Sequence, residues 1–104
     1  MSSGRMEKLL RFMADKEASD LFLSAGSPVQ IKINGIARPI NEQQVLDPAT
    51  VESLIREIVT DRQWQTYDLE HELNVGYGVR DVGSFRINVF QQRGTPAVVV
   101  RFIP

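Results

Sequence analysis

Three stretches near the end of the chain, residues 73–79, 84–92 and 97–103, alternate or run apolar in the manner of β-strands. Only short segments separate them, and Gly76, Gly78, Gly83 and Gly94 punctuate the region. Connections this short reverse the chain direction, whereas a parallel return needs a crossover of a dozen residues or more. The last third of the chain therefore reads as antiparallel strands. Within it Phe85, Ile87 and Val89 share the face that should be the core, and Arg86, Asn88 and Phe90 share the other. In the final run Val98, Val100 and Phe102 form the core set, which leaves Val99, Arg101 and Ile103 opposite.

The first part of the chain reads with comparable economy. Residues 6–16 give an amphipathic helix, with Leu9, Leu10 and Met13 on one face, joined by Met6 and Ala14, and Glu7, Lys8, Arg11 and Asp15 largely opposite. A short strand follows in "SDLFLSAG". "SPVQIKING" then places Val29, Ile31 and Ile33 on one face and Gln30, Lys32 and Asn34 on the other. Asn34-Gly35 is a strong hairpin signal, because a two-residue hairpin turn of this kind needs positive φ at both positions. Residues 36–40 supply the returning strand. Asp47-Pro48 opens a helix, with Asp47 as N-cap and Pro48 at the first helical position. Val51, Leu54, Ile55, Ile58 and Val59 recur along it, and Asp61 caps a further short helix, "RQWQTYDLE". The order is helix, three strands, two helices, three strands. The fold class is α+β, an antiparallel sheet of five to six strands with helices packed on one face.

At 104 residues the chain has room for one core. Its net charge of −1 argues against a general nucleic-acid binder. With no cysteine there are neither disulfides nor thiolate zinc sites. No apolar run reaches the roughly 18 residues of a membrane span, so the expectation is a soluble intracellular protein. "MSSGR", residues 1–5, precedes a second methionine and reads as an expression-tag remnant, set apart from the fold. The strand pattern stops at Pro104 without a turn or cap, which leads us to expect that the natural protein continues.

A search for chemistry is mostly negative. No GxxxxGK[ST] phosphate loop, GxGxxG, GxSxG, HExxH or calcium loop is present. His71, the single histidine, lies in "DLEHEL" and reads as a solvated loop residue, since neighbouring residues of a strand point to opposite faces and cannot converge on a metal. Asp68, Glu70 and Glu72 read as a solvated helix end. Trp64 and Tyr67, three apart on a helix, are packing residues.

The arginines stand apart. From Arg80 to the end there are four, Arg80, Arg86, Arg93 and Arg101, against the single acid Asp81, a local balance of +3 in a chain whose total is −1. If the last two strands are neighbours, Arg86 and Arg101 project from the same side of the sheet. Guanidinium suits planar, bidentate capture of phosphate or carboxylate. On the residues alone two readings stand: solvated or internally paired surface charges, or a surface for an anion or partner.

"ASDLFLSAGSPVQIKINGIARPIN", a two-helix segment, "GSFRINVFQQRG" and "RFIP" occur in that order, and together they resemble the N-terminal domain of the type IV pilus retraction ATPases. These are the twitching-motility proteins of the PilT/PilU family in the secretion-ATPase superfamily. The resemblance covers residues 6–104. "SDLF" leans towards PilU and "RFIP" towards PilT. It implies a PAS-like domain preceding a RecA-like ATPase domain that this chain lacks. It also implies a homohexamer, cytoplasmic and peripheral to the inner membrane at the pilus base, where it meets the pilus machinery. ATP and Mg are expected for the full-length protein and no cofactor for these residues. Arg86 and Arg101, and less strongly Arg93, inherit a role at the nucleotide phosphates, while no residue here is catalytic. The alternatives are a free-standing PAS-like sensor or adaptor binding a small ligand or partner protein, and a purely structural assembly module.

Overall fold

The computed structural model describes residues 4–104. Its elements run α1 (Arg5–Asp15), β1 (Asp20–Leu23), β2 (Gln30–Ile33), β3 (Ile36–Pro39), α2 (Pro48–Arg56), α3 (Asp61–Glu70), β4 (Glu72–Val79), β5 (Gly83–Gln92) and β6 (Thr95–Ile103). All six strands join one antiparallel sheet in the order β3-β2-β1-β6-β5-β4. The first and last strands are thus paired at its centre, and two hairpins flank them.

Cross-strand register sorts the side chains by face. Leu73, Val75 and Tyr77 of β4 lie opposite Val89, Ile87 and Phe85 of β5, which in turn face Val98, Val100 and Phe102 of β6. Val98 and Val100 continue to Leu23 and Leu21 of β1, and Leu21 to Ile31 of β2. This apolar field meets Met6, Leu10 and Met13 of α1, Val51, Leu54 and Ile55 of α2, and Tyr67 of α3 in one core. Phe85, Ile87, Val89 and Val100 are fully buried. Phe85 also holds the ring of Phe102 at 5.1 Å in a tilted geometry, the offset arrangement that aromatic quadrupoles favour. Buried sheet residues are confined to this side apart from Asp20 and Ala97, and among the described residues no helix covers the second face.

Local signals explain most boundaries. Asn34 (φ 52) and Gly35 (φ 80) make the β2–β3 turn, and Arg93 (φ 53) with Gly94 (φ 78) makes the β5–β6 turn. Both are two-residue turns with positive φ throughout, whose twist matches that of the strands. Asp47 caps α2 by accepting a 2.7 Å hydrogen bond from the Thr50 amide. Beyond Arg56 the helix ends, yet Ile58 remains buried.

Two boundaries differ from the sequence reading. The cap of α3 is Thr60 and Asp61 is its first helical residue: Thr60 Oγ1 accepts from the Gln63 amide and Gln63 Oε1 accepts from the Thr60 amide. This reciprocal pair satisfies two amides, where an Asp61 cap would leave Thr60 outside. Helix α1 begins at Arg5, with Gly4 as N-cap. Glu57 draws this end in, accepting from Arg5 Nε at 3.1 Å and from the Met6 amide at 2.9 Å. Arg5 and the Met6 amide are thus tied to Glu57, and residues 1–3 of the leading stretch lie outside the described residues. Among the described residues no helix is long and apolar enough to cross a membrane.

Candidate anion-binding face

On the helix-free side, one line of Cα partners crosses all six strands: Gly76, Arg86, Arg101, Asp20, Lys32 and Ala37. Strand pairing brings these residues together from both ends of the chain. Arg86 and Arg101 are direct cross-strand neighbours, with backbones about 5 Å apart. A parallel line, Asn74, Asn88, Val99, Phe22, Gln30 and Pro39, runs beside it.

The two arginines differ in what holds them. Arg101 reaches Asp20 Oδ2 through Nε at 3.5 Å, with its own side chain 70% exposed and that of Asp20 only 10%. Asp20 is the single buried charged residue among the described residues. Its other oxygen accepts a 2.6 Å hydrogen bond from Ser19 Oγ. Arg86 is exposed and makes no ion pair or hydrogen bond among the described residues. Internal pairing thus describes Arg101 in part, while Arg86, exposed and without an ion pair among the described residues, fits both a solvated surface charge and a group open to an anion or partner.

Like charges directly opposite on a sheet repel. Keeping Arg86 beside Arg101, with Asp20 on the far side of Arg101 as the one carboxylate in the row, leaves this line of side chains net positive. Arg86 and Arg101 border a depression of about 180 Å³ with Asn74, Asn88 and Val99. That volume is below the roughly 300 Å³ of ordinary small-molecule pockets; it suits one phosphate or carboxylate group. Among the described residues Asn88 Oδ1, buried there, has no hydrogen-bond partner. An unpartnered buried acceptor costs about 1–3 kcal/mol, which a donor from a partner would recover and a phosphate or carboxylate, itself an acceptor, would not.

The floor beside Arg86 is bare. Gly76 is the cross-strand partner of Arg86 and Gly78 that of Ser84. Neither has positive φ, and a Cβ built on either would meet nothing within 4 Å. Neither backbone conformation nor packing within the domain demands glycine at these positions.

The remaining sequence candidates lie elsewhere. Arg93 sits in the β5–β6 turn, roughly 20 Å or more along the hairpin from Arg86 at strand rise, beside Ser24, Ala25, Gln92 and Thr95. Arg80 closes the other end, its carbonyl accepting from Arg11 Nη2 at 3.4 Å. His71 is the C-cap of α3, exposed and in the left-handed region at φ 61. Asp68, Glu70 and Glu72 are exposed, and no group of three or more metal-ligating side chains comes together among the described residues. Tyr67 is buried against the core, with the Trp64 ring 5.2 Å away. Arg56 covers Trp64 at 5.1 Å. Sequence reasoning missed Asp20: "SDLF" shows an acid on the open face of β1, but its pairing with Arg101 depends on a contact between the two ends of the chain.

Comparison with known proteins gives the fold and this face a context. No protein-family model matches the chain. The type IV pilus ATPase PilU of Pseudomonas aeruginosa is 35% identical over 97 residues, 93% of this chain and 25% of that protein. The type IV pilus retractation ATPase PilT of the same organism is 38% identical over 97 residues, 93% of this chain and 28% of its own length. The crystal structure of the pilus retraction motor PilT with bound ADP superimposes with a TM-score of 0.85, at 29% identity and over 99% of this chain and 30% of that one. The Legionella pneumophila ATPase DotB shares the fold, with a TM-score of 0.80 at 20% identity over 95% of this chain and 28% of its own.

The six-stranded antiparallel sheet with its one-sided helices is thus a domain of the kind that secretion ATPases carry. More particularly, the chain belongs with the PilT/PilU family. It spans about a quarter of the length of the curated relatives it matches.

Proposed function

We propose that this chain is the non-catalytic N-terminal domain of a hexameric motor ATPase that retracts type IV pili, and that Arg86 and Arg101 serve its ATP site. The observation that carries the proposal is the direct cross-strand pairing of the two arginines on the helix-free face, with Arg86 unpartnered. Two adjacent guanidinium groups offer the donors that phosphate oxygens accept, and unlike ammonium groups they do so bidentately. The catalytic machinery would come from a RecA-like domain and from neighbouring subunits at the cytoplasmic base of the pilus. Residues 4–104 contribute neither a phosphate loop nor a metal seat. Asp20, the one carboxylate in the arginine row, is already paired, so the Mg that accompanies ATP does not fit this face.

In this reading the domain brings two positive charges to the phosphates as it closes on the ATPase domain. An arginine supplied in that way stabilises charge on the transferring phosphoryl group and can matter by about 10³–10⁵ in rate. The test is ATP hydrolysis and oligomeric state of the full-length protein carrying Arg86→Ala or Arg101→Ala. Hydrolysis should fall at least tenfold, about 1.4 kcal/mol of transition-state stabilisation, while hexamers persist. Unchanged hydrolysis in both variants would remove the nucleotide role; loss of hexamers with hydrolysis unchanged per assembled ring would favour an assembly surface.

A further inference from the structure

We infer that Asp20 is a positioning residue for the arginine pair, holding Arg101 by Nε so that its terminal guanidinium nitrogens face the anion shared with Arg86. The inference rests on the nucleotide reading above.

The geometry is asymmetric in a way an ordinary surface ion pair is not. The acid is buried and fixed; the base is exposed and long. Ser19 fixes the acid. Its amide donates to Lys32 O at 2.9 Å, its carbonyl accepts from the Phe102 amide at 3.2 Å, and its hydroxyl donates to Asp20 Oδ1 at 2.6 Å. Ser19 is therefore bound to β2 and β6 at once, and it leaves Oδ2 as the oxygen turned to Arg101. A buried carboxylate that loses its cation is costly, so Arg101 is held without needing to be buried itself.

Guanidinium carries five N–H donors in a fixed fork. Nε is the guanidinium atom in ion-pair contact with Asp20, at 3.5 Å, and the terminal nitrogens have no hydrogen-bond partner among the described residues. A bidentate phosphate contact uses two parallel N–H donors, which the terminal nitrogens still supply. Asp20 also offsets the repulsion that would otherwise drive Arg101 away from Arg86. A lysine at position 101 has a single nitrogen, and for it Asp20 and the anion are competitors.

That difference supplies the test, read as kcat/KM for ATP in the full-length protein. Asp20→Ala should lower kcat/KM roughly three- to thirtyfold when Arg101 is present, within the range of couplings between contacting residues. It should act similarly in an Arg86→Ala background and add nothing in an Arg101→Ala background. In an Arg101→Lys background the sign should reverse, and Asp20→Ala should raise kcat/KM. A general loss of structure cannot produce that reversal. Asp20→Asn keeps the shape of the side chain but removes the charge that holds Arg101; should the alanine variant fail to fold, the same backgrounds read with asparagine decide the matter. Equal losses in the Arg101 and Arg101→Ala backgrounds would overturn the inference. So would a gain of activity from Asp20→Ala alone, which would make the carboxylate a rival of the anion. If Arg86→Ala and Arg101→Ala leave hydrolysis intact, the nucleotide reading falls and this inference with it. If they impair hydrolysis and the Asp20 variants do not, this inference alone falls.

Discussion

Arg86 and Ile87 are adjacent in β5 and should respond to truncation in opposite ways. Ile87 is fully buried, with Val75 and Val100 as its cross-strand neighbours. Ile87→Ala removes three carbons from the core face of the sheet, about 2.4 kcal/mol of transfer free energy at ~0.8 kcal/mol each. The cavity left behind raises the cost to roughly 3–4 kcal/mol. For a domain of this size each kcal/mol moves Tm by about 4–8 °C, so a fall of more than about 12 °C is expected. Arg86→Ala removes an exposed side chain with no partner and relieves its opposition to Arg101. Its effect should lie within about 0.5 kcal/mol of zero, on the stabilising side if repulsion dominates. Urea titration of both variants, followed by the single tryptophan Trp64 and by circular dichroism, measures the contrast. A loss above about 1.5 kcal/mol for Arg86→Ala would show that this arginine holds the fold together, and the argument for an outward-facing role would fail.

Three further outcomes test local features. Thr60→Ala removes the reciprocal cap of α3 and should cost about 1 kcal/mol; thermal unfolding should show it, with Thr60→Ser close to the parent. The hydrogen bonds from Thr50 hold the Asp47 carboxyl below its ordinary 3.8. The charged cap therefore stabilises the fold above that pH and is lost as pH falls through the lowered value, so Asp47→Asn should flatten the acid limb of a stability–pH curve. Burial, and then the charges of Asp68 and Glu52, raise the Tyr67 hydroxyl above its ordinary 10.0. The native state keeps that proton where the unfolded chain releases it, so the contribution is complete below pH 10 and disappears as pH rises through the raised value. Tyr67→Phe should remove this alkaline loss; an unchanged slope between the two proteins from about pH 9 to 11.5 would contradict it.

Much of this was legible because strand alternation has a period of two and leaves little freedom. Once Phe85, Ile87 and Val89 are assigned to the core, Arg86 has to face away, and the same parity fixes Arg101. Asn34-Gly35 and Asp47-Pro48 announce themselves through backbone requirements that few other residues meet. What was not legible depends on distant contacts. Nothing in "SDLF" says that β1 will lie against β6, so the partner of Arg101 could not be named. The early start of α1 follows from Glu57, far along the chain. The cap of α3 is a different kind of miss: Thr60 and Gln63 have the spacing of a reciprocal cap, and that signal was present in the sequence. Asn88 could be assigned to the open face by parity, but its unsatisfied oxygen emerges only when its neighbours are placed.

The bare glycines of β4 give the open face a direction. Over β5 and β6 an incoming body meets guanidinium groups and branched side chains first; over Gly76 and Gly78 it can descend to the peptide planes. Any rigid surface settling on this sheet will therefore tilt towards the β4 edge, with Arg86 as a flanking wall and Arg101 behind it. The order of encounter follows: a ligand carried on that surface passes the unrestrained arginine before it reaches the tethered one. Two missing side chains thereby turn this face of the sheet into a ramp.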